Sequence, residues 1–380
     1  MEIPVAMTMR DTCIHKRFGD IATFSRGLTF AKGDVADNSS KRVLRSNNID
    51  LQSHSLNFDD IACLKEEFII PDEKKLHKGD IFICMSNGST QHLGKVAYVE
   101  EDMDYAFGGF MGAIHPNENM AFPKYAYYAC ISSEYQHFLA SIFNGVNINN
   151  LKWSDLANLE IPIPPLDKQE RIVAELDLLT GIIDKQKSQL KELDNLAQSI
   201  FYVMFGNPLE NDKGWNSFSF KDTIRLKSGD GLSEKDFQCG AYPVYGGNGV
   251  SGYHNNYNKD GDFIIIGRVG AYCGNVRYVK GQFWLTDNAF QAYFAKESFN
   301  YHFMCFLLNT INLHQYANQA AQPVISNVAL KDISIICPSL DLQESFAEKI
   351  ESIESQKVAI NQSIAETQKL FDYTMDKYFG

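Results

Sequence analysis

The chain has 380 residues, more than one compact core usually holds, with an ordinary apolar share of 44% and a formal net charge of −12. No run of eighteen apolar residues occurs, and the amino-terminal stretch lacks a long apolar segment, so neither a membrane span nor a secretory signal is expected. Eight scattered cysteines form no Cys-x-x-Cys pair, which argues against a zinc site or a disulfide framework and for a reducing, cytoplasmic setting; the acidic balance argues against a strongly basic nucleic-acid binder.

In chain order, residues 1–160 read as a first body. Short β-like runs such as Asp80–Met85 and Lys95–Val99 are broken by Gly and Asn, and a helical stretch follows at 125–140. Its loops carry Arg45, Asn47 and Asn48, and then Asn87 and Gln91. Residues 161–206 follow two prolines with an apolar step of four and three through Ile172, Leu176, Leu179, Ile183, Gln186, Leu190, Leu193, Ala197, Ile200 and Met204, the seam of a coiled-coil helix. Residues 207–334 form a second body with runs at Asp262–Gly267 and Asn275–Val279 and a helical stretch at 301–317. Its loops carry Tyr245, Asn248, Arg268, Thr286 and Asn288, with Arg277 nearby. Residues 335–380 repeat the seam at Phe346, Ile350, Ile353, Lys357, Ile360, Ile364, Thr367, Phe371, Thr374 and Tyr378.

The chain is therefore a tandem duplication. Pro164, Leu166, Asp167, Gln169 and Glu170 recur 174 positions later as Pro338, Leu340, Asp341, Gln343 and Glu344, without a gap through Gly206 and Gly380. Upstream, Phe18, Asp20 and Gly27 match Phe220, Asp222 and Gly229 at an offset of 202, and the run at Lys78 matches that at Asp260 at 182. The ends of the repeat are alike and the middles differ. The pattern predicts an α+β fold: two tandem α/β bodies separated by two helices of about 35 residues, roughly 50 Å each. A pseudo-two-fold axis would pair the helices as an antiparallel coiled coil, put the bodies at opposite ends and set Gly380 beside the first body. Gln186 and Lys357 are polar positions that would fix the register.

Arg, Asn and Gln side chains carry the paired donors and acceptors that match base edges in the major groove, and adjacent glycines let backbone approach phosphates. Ten loop residues are thus candidate DNA contacts: Arg45, Asn47, Asn48, Asn87, Gln91, Tyr245, Asn248, Arg268, Thr286 and Asn288. No catalytic or metal-ligating set is expected. Gly267–Gly274 lacks dinucleotide-loop spacing, and Gly108–Gly112 only faintly resembles an S-adenosylmethionine loop, with no Pro-Pro-aromatic methylation motif to accompany it. There is no P-loop, no spaced acidic-x-Lys nuclease signature after Pro71-Asp72, and no metal-binding His spacing. Residues 1–166 carry 15 basic and 21 acidic groups, whereas 207–340 carry 11 of each; the two helical segments hold the remaining excess of acid. Such a chain would grip DNA weakly alone and would need basic partners.

The duplicated Pro/Leu/Gln/Glu signature, with the loop Tyr245–Gly249, Gly267–Gly270 and Thr286–Asn288, resembles the specificity subunit of Type I restriction-modification systems over essentially the whole length. The resemblance implies two target recognition domains, each reading half of a bipartite double-stranded site, with the helices setting the gap. It implies two methyltransferase subunits supplying S-adenosylmethionine and adenine chemistry, and allows motor-nuclease subunits to join. Ile336 and Ser339 replace prolines of the first copy. Rival readings are a specificity subunit whose partners only methylate, a duplicated scaffold that joins partners through its helices without touching DNA, and a restriction endonuclease acting alone, which the missing motifs disfavour.

Overall fold

The computed structural model describes residues 13–143, 150–294 and 299–380. Compactness divides the chain into two units: Met1–Lys185 with Ser363–Gly380, and Gln186–Gln362. Each unit thus holds one body and half of each long helix. The helices run Leu166–Phe205 and Leu340–Phe379, 40 residues apiece, longer than the seam alone predicts.

Within the first unit, strands Ala22–Arg26, Met111–Pro116, Ile81–Cys84 and Val96–Tyr98 make one four-stranded sheet in that order. Val35–Ala36, Ala62–Leu64, Lys41–Leu44 and Tyr105–Phe107 make another. The expected single helix over 125–140 is two, Pro123–Ala129 and Ser133–Phe143. In the second unit one six-stranded sheet carries Ile224–Ser228, Ala289–Phe294, Lys259–Gly267, Val276–Leu285, Tyr242–Gly246 and Gly249–His254 in that order, with helix Tyr301–Ile311 packed against it.

The duplication read from the sequence appears as duplicated hydrogen bonds. A short antiparallel pair closes each body, His15–Arg17 with Glu160–Pro162 and Ser217–Ser219 with Ser334–Ile336; His15 faces Pro162 as Ser217 faces Ile336. The expected borders at 160/161 and 334/335 fall inside these closing strands, which belong to the bodies rather than to the helices. Backbone N–H of Phe18 donates to Leu159 O at 2.8 Å, and that of Phe220 to Ile333 O at 2.8 Å.

One side chain in each copy then fixes the helix to its body. Gln169 and Gln343 are fully buried. Gln169 Oε1 accepts from Phe122 N–H at 2.8 Å, and its Nε2 donates to Pro164 O at 2.8 Å and Met120 O at 3.1 Å. Gln343 Oε1 accepts from Asn300 N–H at 2.9 Å, and its Nε2 donates to Pro338 O at 3.0 Å. Phe122 and Asn300 are the residues that begin the inner helices of the two bodies. The recurring glutamine therefore joins strand end, long helix and inner helix by bonds that a buried amide must find.

Both units show the long helices running antiparallel. In the second, Phe346 meets Phe201 and Phe205, with ring centroids 5.7 and 5.3 Å apart, while further along Lys357 Nζ meets Asp194 Oδ1 at 2.9 Å, so residue order reverses between the helices. In the first, Tyr378 donates to Glu175 Oε2 at 2.7 Å. Every predicted seam position is buried or half-buried; the half-buried ones run from Gln186 to Leu193 and from Lys357 to Phe371, with Ile200, Met204 and Tyr378 besides. The expected polar intruder Lys357 is satisfied by Asp194 and by Glu354. The helix ends also match by symmetry: Phe205 packs on Phe303 at 4.7 Å, and Phe379 on Tyr125 at 4.9 Å, which places the end of the second helix in the first body's core as expected.

Replacing Gln343 with Leu strands the Asn300 N–H and should cost about 1–3 kcal/mol. Hydrogen exchange should show loss of protection at residues 300–311 and 340–346 with residues 123–129 unchanged; unchanged protection at both sites would mean the amide clamp does not hold the helix.

Candidate nucleic-acid interface

The candidate loops of each body converge on one surface, and the backbone bonds that bring them together are the same in both. In the first body, the N–H groups of Met85 and Ser86 both donate to Phe110 O at 3.0 Å. Leu151 N–H donates to Met85 O at 2.8 Å, Gly108 N–H to Leu44 O at 2.9 Å, and Met111 N–H to Gly108 O at 2.8 Å. In the second body, Arg268 N–H donates to Asn288 O at 2.9 Å, Ile325 N–H to Arg268 O at 2.9 Å, Thr286 N–H to Tyr245 O at 2.9 Å, and Ala289 N–H to Thr286 O at 3.2 Å. A parallel strand pair underlies each set, Leu44 beside Phe107 and Tyr245 beside Leu285, in sheets otherwise antiparallel. Matching the bonds makes Leu44 equivalent to Tyr245, Met85 to Arg268, Gly108 to Thr286 and Phe110 to Asn288.

Two glycines make this frame possible. A Cβ on Gly27 would lie 2.0 Å from Gly108 O, and one on Gly229 would lie 2.4 Å from Thr286 O, so no other residue permits the close approach. The loop Gly108–Gly112, faintly like a cofactor loop in sequence, is here the turn that the frame holds.

The side chains hung on the frame differ. In the first body Arg45, Ser46, Asn47, Asn87, Gly88 and Phe110 line a cleft of about 750 Å³. Arg45 Nη2 donates to Asp60 Oδ2 at 3.1 Å with its side chain 45% exposed. Asn47 Nδ2 donates to the same carboxylate at 3.0 Å, and Asn87 Nδ2 to Ser46 Oγ at 3.1 Å. Asn48 behaves otherwise: fully buried, its Nδ2 donates to Asn57 O at 2.8 Å and Asp60 O at 2.9 Å, and its Oδ1 accepts from Arg45 N–H at 2.8 Å. Its amide is spent on shaping the loop that presents Arg45 and Asn47. Gln91 is exposed in the turn Thr90–His92, outside the cleft lining.

In the second body Asn248 and Asn288 are exposed. Arg268 is half-buried; its Nη1 donates to Ser228 Oγ at 3.2 Å and Asp287 O at 3.4 Å, and its guanidinium lies 5.4 Å from the Phe290 ring centre. Tyr245 packs on Phe283 at 5.3 Å, and burial pushes its hydroxyl up, so it stays a neutral hydrogen-bonding group. Thr286 is buried and its Oγ1 has no hydrogen-bond partner among the described residues. Gly247 approaches within reach of both other loops: a Cβ there would meet Val269 O at 2.6 Å and Asn288 O at 3.3 Å. Two further groups join these clusters: Arg277, noted in the sequence but outside the ten candidates, and Phe110, which the sequence does not single out. Arg277, whose Nη2 donates to Asn248 O at 3.1 Å, belongs to the same cluster. Phe110 is 73% exposed at the cleft lip. Aligning residues 105–116 with 283–294 at an offset of 178 would have paired it with Asn288.

The family model described as "Type I restriction modification DNA specificity domain" matches residues 14–195 and again 212–369. The chain belongs to this family. It is 23% identical to the EcoKI specificity subunit of Escherichia coli K12 over 94% of this chain and 86% of that one, and 27% identical to the EcoprrI specificity subunit of Escherichia coli over 58% of each. Its fold matches the crystal structure of the Type-I restriction-modification system S subunit from M. genitalium, with TM-score 0.61, 15% identity, and 100% and 98% of the two chains covered. A chain from a structure of a type I R-M system matches at TM-score 0.56, 18% identity, and 96% and 97% coverage. Two family domains in one chain correspond to the two framed loop clusters. Among the described residues no helix is long and apolar enough to cross a membrane, and no group of three or more His, Cys, Asp or Glu is placed to hold a metal ion.

Asn48→Ala should lower stability by about 1–3 kcal/mol, because the buried amide's bonds to Arg45 N–H, Asn57 O and Asp60 O are lost. Asn47→Ala, at the exposed side of the same loop, should change melting by less than about 0.5 kcal/mol. Calorimetry of the two variants separates loop shaping from loop display, and equal losses would contradict it.

Proposed function

We propose that this chain is the sequence-reading subunit of a Type I restriction-modification complex, with each body reading one half of a bipartite double-stranded DNA site. The observation that carries this is the repeated frame: identical backbone bonds in both bodies hold three loops together while the side chains at their tips differ. A common frame with different tips suits two readers of different half-sites on one scaffold. Arg45, Asn47, Asn87, Gln91, Asn248, Arg268 and Asn288 present guanidinium or amide groups suited to base edges. Tyr245, Thr286 and Asn48 sit in the same clusters, where their burial suits them to positioning the loops.

The chain performs no chemistry in this reading. Two methyltransferase subunits dock on the helices, bind S-adenosylmethionine and modify adenine, and motor-nuclease subunits join where the system also cleaves. The complex works in the cytoplasm. The neutral second body and acidic helices leave the phosphate grip to those partners, since neutralised phosphates supply most non-specific affinity. The helix pair sets the gap between half-sites.

The test is modular exchange. Co-expressed with its methyltransferase partner, a chain whose residues 213–334 come from a relative should methylate a site with one half changed and the other retained. Within the parent chain, Arg268→Ala should cost about 1–3 kcal/mol of discrimination at one base of that same half. Alteration of both halves by the exchange would refute separate readers, and methylation unaffected by either change would refute base reading by the second body.

A further inference from the structure

An isolated exposed phenylalanine signals nothing by itself, since much of any protein surface is apolar. Phe110 differs in three respects. Its backbone is pinned, its carbonyl accepting from both Met85 and Ser86 and its turn closed by the bond from Met111 to Gly108. Its ring is nevertheless 73% exposed and lines the cleft that also holds Arg45, Asn47 and Asn87. The equivalent place in the second body is taken by Asn288, an exposed amide. One rigid position of a shared frame thus presents an amide in one body and a hydrocarbon ring in the other.

The major-groove edges of the base pairs offer donors and acceptors almost throughout; the apolar exception is the C5 methyl of thymine. An amide at the frame position suits adenine, whereas a phenyl ring suits that methyl. The cleft around Phe110 includes Leu28 and Phe30, so a methyl entering beside the ring would leave water on more than one side. The polar groups across the cleft remain available to the neighbouring base pairs.

We propose that Phe110 reads a thymine of the half-site bound by the first body, through contact with its C5 methyl. This rests on the DNA-reading function above and adds a specificity-determining residue to it. The alternative use of such a ring, insertion between base steps as a wedge, would depend on stacking rather than on one methyl group.

Deoxyuridine separates the two, because it lacks only the methyl. The full chain assembled with its methyltransferase partner is titrated with duplexes carrying single thymine-to-deoxyuridine replacements across the first half-site, identified as the half that the exchange of residues 213–334 leaves unchanged. One replacement should weaken binding about three- to fivefold, the size expected for one methyl group returned to water. Phe110→Ala should bind the thymine and deoxyuridine duplexes equally, and Phe110→Leu should restore a preference for thymine. A half-site with no thymine, a parent complex indifferent to every replacement, or a Phe110→Ala complex that keeps the parent's thymine preference would each overturn the assignment. A parent complex that prefers no duplex over any other would remove the DNA-reading function and this assignment together, and is recognised by the failure of the all-thymine duplex itself.

Discussion

A glutamine amide cannot be buried cheaply unless its oxygen and nitrogen both find partners. Gln169 and Gln343, in the first turn of the long helices, are buried completely and find them in two places each body must bring together: the segment just after the closing strand and the start of the inner helix. Once the amide is satisfied, the long helix leaves its body at one fixed point and in one direction. Phe379 against Tyr125 and Phe205 against Phe303 then fix the far ends of the helices by burial of whole aromatic rings. Each body is thereby held by the beginning of one helix and the end of the other, and the antiparallel pairing follows from these attachments together with the apolar seam.

The same economy appears in the loops. Nearly all of the bonds that define the interface are backbone bonds, and Gly27 and Gly229 are where the chain pays for their closeness. The exposed side chains at positions 110 and 288 therefore carry little structural duty and are free to differ between the two bodies. That separation of frame from tip lets one fold read unlike sequences. An acidic helix pair and a neutral second body also disfavour indiscriminate adhesion to phosphates.

The duplication, the antiparallel helices and their seam were legible because heptad spacing and a constant offset of 174 are one-dimensional signals. Gln169 and Gln343 were visible as recurring letters, but their role was not, since a recurring Gln in a helix's first turn reads equally as a solvated position. The loop equivalences were hidden for a different reason. The offset passes from 202 at Gly27 through 183 at Met85 to 178 at Phe110, so insertions in the first body break the alignment where the interface lies. Asn48 and Asn47 are adjacent and chemically identical, yet one is buried and the other displayed. Only the position of Asn57 and Asp60 across the loop decides which amide turns inward. The strand borders at 160 and 334 were missed because three-residue strands have no periodicity to read, and their partners lie more than a hundred residues away.

If the glutamine-anchored helix pair sets the gap between half-sites, lengthening both helices equally must lengthen the gap and nothing else. Insertion of one heptad after Leu190 and one after Ile364 adds about 10 Å of rise, or roughly three base pairs of B-DNA at 3.4 Å each. The decisive measurement is genome-wide mapping of methylated adenines in cells expressing this variant with its methyltransferase partner. The expected motif keeps both half-sites of the parent and widens their separation by about three base pairs. Full methylation at the parent's spacing would contradict the helix pair as the element that sets it.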